Sequence, residues 1–365
     1  MLTVKTPIEY INQPDIIEQA GKYIKKYGSK ALIIGSRTPL KVVGERFFKS
    51  LMEYEIDYSI EEFTGFPTLK TIERYVGLAG ERGVNLIIGI GGGKVNDTAK
   101  VVGSKTKLPV IAVPTIAATC AAWAACSILY KEDGDFDTVF LNDLTPRLIL
   151  ADTRIIATAP SRFINAGIVD TLAKWIETEP NLAIAEDDIT LRLSVAGAKL
   201  AYDILVKSGP KAVEDGRNNI ITKATLDTID AIIYLAGFVG SFTSDKFYGG
   251  FAHPFYNAST RLPGTRHRLH GEKVAFGLLV QLVLENKPET YVTDTIKLFD
   301  HFQLALTLED IGIKDHTVED LHIIATSILK EFPGFIQLGY GKTTDEIEAA
   351  ILRTDKIVKQ FLNEK

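Results

Sequence analysis

Along the first 150 or so residues two hydrophobic periods alternate. Residues 31–35 are a short, unbroken apolar run ending in glycine, which reads as a buried strand. Residues 39–52 have helical spacing, and residues 57–63 alternate as a strand. Residues 68–82 form a helix with an apolar stripe of Leu69, Ile72, Val76, Leu78 and Ala79. Another buried strand over 85–90 runs directly into Gly91-Gly92-Gly93, and helical spacing resumes over 94–103. A fourth strand spans 109–113. Strands alternating with helices imply a parallel sheet with helices on both faces.

After about residue 160 long helical patterns dominate, over 161–177, 187–207, 220–241 and 273–285. The expectation is an α/β domain over 1–157 followed by an all-α domain over 158–365. The acidic stretch 177–188 reads as a solvated loop or helix end. The most apolar stretch, 110–130, is broken by Pro114 and reads as a buried strand and loop.

Composition narrows the class. Apolar residues make up 46% and charged residues 24%, the balance of a soluble protein with a sizeable core. A formal net charge of -5 argues against a nucleic-acid partner, because phosphate binding needs a basic surface. The two cysteines, Cys120 and Cys126, cannot form a disulfide framework, so a cytoplasmic setting is expected. Residues 1–15 lack the apolar core of a signal peptide. No run of about 18 apolar residues predicts a membrane-spanning helix.

The candidate chemistry begins at Gly91-Gly92-Gly93-Lys94, where a strand hands over to a helix. Glycines there let the backbone approach a phosphate, and free N–H groups at the helix start face the anion. Asp97 and Thr98 fall in the first helical turn. The spacing matches neither the dinucleotide fingerprint nor the P-loop, so a tight turn without a ligand is the alternative. A second polar loop, 114–120, carries Thr115 and Thr119 at a strand's C-terminal end, where open α/β sheets bind ligands.

Asp170 sits in a mostly apolar segment, so its carboxylate needs a partner. His253 precedes Pro254, and His270 opens the run His270-Gly271-Glu272-Lys273. One carboxylate and two imidazoles suit zinc or iron(II) and leave a coordination position open. Spacing alone does not bring the three together, and His267 competes with His270. His301, His316 and His322 read as structural.

These segments, taken in order, resemble the iron-containing alcohol dehydrogenase superfamily. Gly91 to Lys100 is similar to its cofactor motif. Val113-Pro114-Thr115-Ile116-Ala117 looks like the next motif of the glycerol dehydrogenase branch. The run from His270 to Gly277 resembles that branch's metal-ligand motif. The resemblance covers nearly the whole chain. It implies a Rossmann-like domain followed by an all-α domain, the dehydroquinate synthase-like architecture. It also implies a catalytic metal on Asp170, His253 and His270, zinc before iron. The pyrophosphate of NAD or NADP would rest on Gly92, Gly93 and Lys94, with Asp97, Thr115, Ala118 and Tyr130 lining the cofactor cleft. Some branches place a histidine ligand one turn after the aspartate; here that position is Lys174. A homo-oligomer is a further implication.

Two departures bear on substrate and cofactor. Where glycerol dehydrogenases carry an Asp that binds substrate hydroxyls, this chain has Cys120, and Trp123 nearby is expected to narrow the pocket. The run 114–123 looks more like a subgroup that reduces 2-oxo acids to 2-hydroxy acids. Arg266 and Arg268 are either carboxylate anchors or plain surface residues. After the strand at 31–35, Ser36-Arg37 replaces the Asp of NAD-preferring members, so NADP is favoured. The expected function is metal-dependent, NAD(P)-linked interconversion of a small hydroxy compound and its carbonyl form, with a 2-hydroxy acid as first choice. The alternatives are a glycerol or other polyol dehydrogenase, a sugar-phosphate cyclase of the dehydroquinate synthase type, and a binding protein that has lost catalysis.

Overall fold

Apolar runs buried on both faces assemble into a parallel sheet. The computed structural model describes residues 3–243, 249–314 and 318–364. Its main strands are β1 (Glu9–Gln13), β2 (Lys30–Gly35), β3 (Asp57–Glu62), β4 (Leu86–Gly91), β5 (Val110–Pro114), β6 (Cys126–Tyr130), β7 (Phe136–Leu141) and β8 (Leu148–Asp152). Six of them pair in parallel in the order β1-β8-β5-β4-β2-β3, while β6 and β7 form a separate antiparallel hairpin.

Alternation along β2 divides the core. Ala31 and Ile33 pack with Phe47 and Leu51 of helix α1 (Arg37–Glu53). Leu32 and Ile34 pack on the other side with Ile72 of α2 (Leu69–Glu81) and Val102 of α3 (Gly93–Thr106). From β2 the chain runs outward to β3, then crosses to β4 and β5 on the other side. The loops after β2 and β4 therefore diverge and open a crevice at the C-terminal edge of the sheet.

The second half is helical: α4 (Ser161–Thr178), α5 (Ile189–Arg217), α6 (Ala252–Ser259), α7 (His270–Leu284) and α8 (Thr344–Asn363), with shorter helices between. Its core reaches the sheet, where Ala112 of β5 and Ile149 and Ala151 of β8 join Ile168, Leu172 and Leu279. Two glycines let the backbones meet. A Cβ on Gly167 of α4 would stand 2.1 Å from the Ala117 carbonyl oxygen, and one on Gly271 of α7 would stand 2.0 Å from that of Ala166.

Several expectations change. The strands β1, β7 and β8 fell outside the sequence reading: β1 is a half-exposed edge strand with polar positions, and β7 carries exposed residues over most of its length. The stretch 110–130 holds two strands, since β6 follows the loop. The acidic stretch 177–188 is not uniformly solvated: Glu177 and Asn181 are buried. The helix expected over 187–207 continues through Pro210 to Arg217. The helix expected over 220–241 is Lys223–Asp230, a π-helical turn over Ala231–Leu235, and Ala236–Val239. A two-residue strand, Phe242–Thr243, pairs with Thr3–Val4 inside the otherwise helical half. Among the described residues no helix is long and apolar enough to cross a membrane.

The close approach at Gly271 is testable. Gly271→Ala forces a methyl against the Ala166 backbone and is expected to destabilise by about 1–3 kcal/mol in chemical denaturation. Gly77→Ala serves as the comparison: that helical position has nothing within 4 Å of a Cβ, and the change is expected to stabilise by about 0.5–1 kcal/mol. Equal effects at the two positions would refute the packing argument.

Candidate metal centre and cofactor cleft

The crevice at the sheet edge deepens between the two halves into a cavity of about 610 Å³. One wall is the start of α3. Gly92 precedes this helix without any side-chain cap, so the first backbone N–H groups stay available to an anion. A Cβ on Gly92 would meet Ile116 at 2.8 Å, which is why the loop after β5 can lie so close. Asn96 donates to the Gly91 and Gly92 carbonyl oxygens at 2.9 and 3.0 Å and pins the turn. The Lys94 ammonium lies 3.9 Å from the Phe66 ring centroid.

Asp97 reaches the same wall, but its carboxylate is already engaged. It pairs with Lys100 at 3.0 Å and accepts the Ile128 N–H at 3.2 Å, tying α3 to β6. Lys100, fully buried, donates to the Ala124 carbonyl at 2.9 Å and to that of Cys126.

The opposite wall holds the ligand-type side chains. Asp170, on the buried face of α4, is 1% exposed. His270 is the first residue of α7, where the chain turns in from an extended Leu269. His253 is the second residue of α6, which packs on α7 over Gly277. His270 Nε2 lies 3.0 Å and His253 Nε2 3.3 Å from the same oxygen, Oδ1 of Asp170. One ligand atom from each of the three residues lies within 4.8 Å of the others.

Glu177, two turns after Asp170 on α4, orients His253. Its carboxylate accepts the His253 backbone N–H at 3.0 Å and the Nδ1–H of the ring. A carboxylate accepts from a ring N–H, so Nδ1 is the nitrogen turned to Glu177 and Nε2 the one presented to Asp170. Burial lowers the His253 pKa, but Glu177 and then Asp170 outweigh it and push it up to about 9. Burial holds His270 below its ordinary value despite Asp170. Burial alone would raise Asp170; Lys174 and His270 reverse that and hold it well below the usual carboxylate range.

The remaining predicted residues divide. Ser36, Gly93, Ala118, Cys120 and Tyr130 line the cavity. Arg37 is exposed at the start of α1 and is not among the cavity-lining residues. Thr115 is buried away from the wall. Trp123 does not narrow the cavity, contrary to expectation. The turn after Cys120 carries its indole between Tyr10 and Tyr234, where Nε1 donates to Ser241 at 3.0 Å. Gly237 makes room for it, since a Cβ there would clash at 2.4 Å. Arg266, Arg268 and His267 all line the cavity. Arg266 pairs with Asp135 at 2.8 Å, while the buried Nε of Arg268 has no partner. His301 packs on Phe302, His322 pairs with Glu348 at 2.9 Å, and His316 lies outside the described residues.

Three residues around the site, the cavity-lining Tyr256 and Lys273 and the buried Glu177 behind His253, were not singled out from the sequence, although helical spacing from known positions could have found them. Glu177 follows Asp170 by seven, Tyr256 follows His253 by three, and Lys273 follows His270 by three. Tyr256 packs its ring on His270 at 4.1 Å and its hydroxyl lies 2.9 Å from that of Tyr130. Lys273 is 2% exposed, with Nζ 4.5 Å from the Tyr256 ring centroid. Burial, aided by Lys94, lowers its pKa to about 7.

Lys273 should therefore weaken the fold in a pH-dependent way. The unfolded chain keeps this proton to about pH 10.4, whereas the folded protein loses it near 7. The destabilisation is full below pH 7 and is relieved as pH rises toward 10. Lys273→Met is expected to raise Tm by a few degrees at pH 6 and by less at pH 9. A gain independent of pH would show that the ammonium is not the cause.

Comparison with known proteins agrees with this architecture. The family model for iron-containing alcohol dehydrogenase matches residues 7–153. Glycerol dehydrogenase of Citrobacter freundii is 32% identical over 98% of this chain and 98% of its own. Hydroxycarboxylate dehydrogenase A of Escherichia coli (strain K12) is 34% identical over 76% of this chain and 77% of its own. The crystal structure of a probable glycerol dehydrogenase from Sinorhizobium meliloti 1021 superposes with a TM-score of 0.87 at 28% identity, covering 98% of this chain and 99% of that one. The fold and nearly the whole length are thus shared, and the chain belongs to the iron-containing alcohol dehydrogenase family of oxidoreductases acting on CH–OH groups.

Proposed function

We propose that this chain is a metal-dependent, nicotinamide-linked dehydrogenase of a small hydroxy compound. The observation that carries the reading is the convergence of Asp170, His253 and His270 within 4.8 Å in the cavity that also receives the uncapped N-terminus of α3. The donor set of one carboxylate oxygen and two imidazole nitrogens fits a divalent cation of the zinc or iron(II) type. Glu177, holding the far nitrogen of His253, is the outer partner such a ligand needs. When bound, the cation supplies Lewis acidity toward a substrate oxygen.

The chain's own residues do the rest. The turn of Gly92, Gly93 and Lys94 would hold the cofactor pyrophosphate through backbone N–H groups and the ammonium. Ser36 and Arg37 follow β2, where the adenosine ribose of such cofactors sits; neither is an acid, which supports NADP over NAD. Burial keeps the hydroxyl of Tyr256 protonated, with its pKa pushed up to about 12. Bonded to Tyr130, it presents an apolar ring edge beside His270 where the substrate would lie.

Relatives named glycerol dehydrogenases support a small polyol as the substrate class. A second reading, a 2-hydroxy acid, is favoured by Cys120, which puts no acid into the cavity, and by Lys174, which puts an ammonium there.

Chelation is expected to abolish turnover, with recovery on adding zinc or iron(II). Net consumption of NADPH or NADH, followed at 340 nm with dihydroxyacetone and with 2-oxobutyrate, is expected; unchanged absorbance with product formation would point to the cyclase instead. A kcat/KM for NADH equal to or above that for NADPH would reject the cofactor preference. Glu177→Gln is expected to weaken zinc affinity about 10- to 100-fold in competition with a chelator. Wild-type affinity in that variant would remove Glu177 from the site.

A further inference from the structure

One ammonium of the cavity stands beside the ligand-type cluster itself. Lys174 stands one helical turn after Asp170 on α4, with its side chain 16% exposed. Its Nζ lies 3.8 Å from Oδ2 of Asp170, beyond hydrogen-bond distance. That oxygen is the one turned away from the two imidazoles, which both approach Oδ1. Facing Lys174 across the cavity is Cys120, whose thiol burial keeps protonated and therefore neutral. The other cations of the cavity are differently placed. Arg266 is paired with Asp135, Lys94 lies over the Phe66 ring at the glycine turn and Lys273 over the Tyr256 ring, while Arg268, whose buried Nε has no partner, is the competing cation.

With a divalent cation held by Asp170, His253 and His270, the cation and Lys174 would together outweigh the carboxylates of Asp170 and Glu177, because imidazoles are neutral as ligands. Here Asp170 and Glu177 hold the half-buried Lys174 ammonium charged against the cost of burial; a cation on Asp170 would share that carboxylate, and an anion supplied by the ligand would take its place beside Lys174. A neutral polyol offers no such charge.

We propose that Lys174 binds the carboxylate of the substrate, which makes the substrate class a short 2-oxo acid and its 2-hydroxy acid. This rests on the dehydrogenase reading and deepens it. In the reducing direction a hydride leaves C4 of the reduced nicotinamide with both electrons and forms the C–H bond at C2. The C2–O π bond breaks and its oxygen takes a proton from water. The 2-oxo acid is reduced, the cofactor is oxidised, and the carboxylate on Lys174 is unchanged.

The test compares the zinc-loaded enzyme with Lys174→Gln, Lys174→Arg and Arg268→Gln, using 2-oxobutyrate and neutral dihydroxyacetone. The preference for 2-oxobutyrate is expected to fall about 10- to 100-fold in Lys174→Gln, mainly through KM, with Lys174→Arg retaining most of it. Equal losses on both substrates, or a preference lost in Arg268→Gln instead, would overturn the assignment. Calorimetric binding of oxamate, an unreactive carboxylate, gives a readout without turnover. It is expected to weaken by a similar factor in Lys174→Gln at matched zinc content. If the wild type reduces neither compound yet binds oxamate through Lys174, the dehydrogenase reading fails and the anchor stands. If it reduces dihydroxyacetone and Lys174→Gln binds oxamate as tightly as the wild type, the anchor fails and the dehydrogenase stands.

Discussion

The contact on which the rest depends is between backbones. Helix α4 is clamped between the loop after β5 and the start of α7, and neither contact leaves room for a Cβ at Gly167 or Gly271. Backbone packing of this kind has little freedom to slide, because the clash distances are near 2 Å on both sides. Asp170 lies three residues beyond Gly167, and His270 immediately precedes Gly271. The register that seats the two glycines therefore sets the separation of the carboxylate and the imidazole. It also holds both against the loop that carries Ala118 and Cys120.

Electrostatics then orders the side chains within that frame. Asp170 presents one oxygen to His253 and His270 and the other to Lys174. Glu177 takes up the far nitrogen of His253. Each charge has an opposite charge nearby, which is the condition for keeping a carboxylate ionised at 1% exposure. A cation placed among these atoms would meet one nitrogen from each of two imidazoles and one carboxylate oxygen. Lys174, 3.8 Å from the remaining oxygen of Asp170, is the ammonium proposed to meet a substrate carboxylate.

The glycine turn and the ligand cluster stand on opposite walls of one cavity, supplied by different halves of the chain. The sheet contributes a helix start with unsatisfied donors, and the helical half contributes the buried charges. The brace between Asp97, Lys100 and Ile128 links α3 to the β6–β7 hairpin, so the loop between β5 and β6 is held at both ends. That loop is shared by both walls, which makes its short run of residues decisive for which compounds fit.

Much of the fold was legible because periodicity is local. The strands β2 to β5 and the helices α1 to α4 follow apolar runs and stripes that a short window contains. The edge strand β1 and the hairpin strand β7 were not, because half-exposed strands with polar positions carry no clean alternation. Motif order along the chain was enough to single out the glycine turn and the three ligand-type residues. What the sequence could not determine was which neighbours share a space. Trp123 is near Cys120 in the chain, yet one turn carries it into a stack with Tyr10 and Tyr234. Glu177 looked like part of a solvated acidic run, yet it is buried against His253 from another helix. Lys174 was legible only as a histidine that is absent; its ammonium gained a setting once α4 was packed. Propensity and pattern act between residues a few positions apart, whereas burial and charge pairing act between residues that only the packed chain brings together.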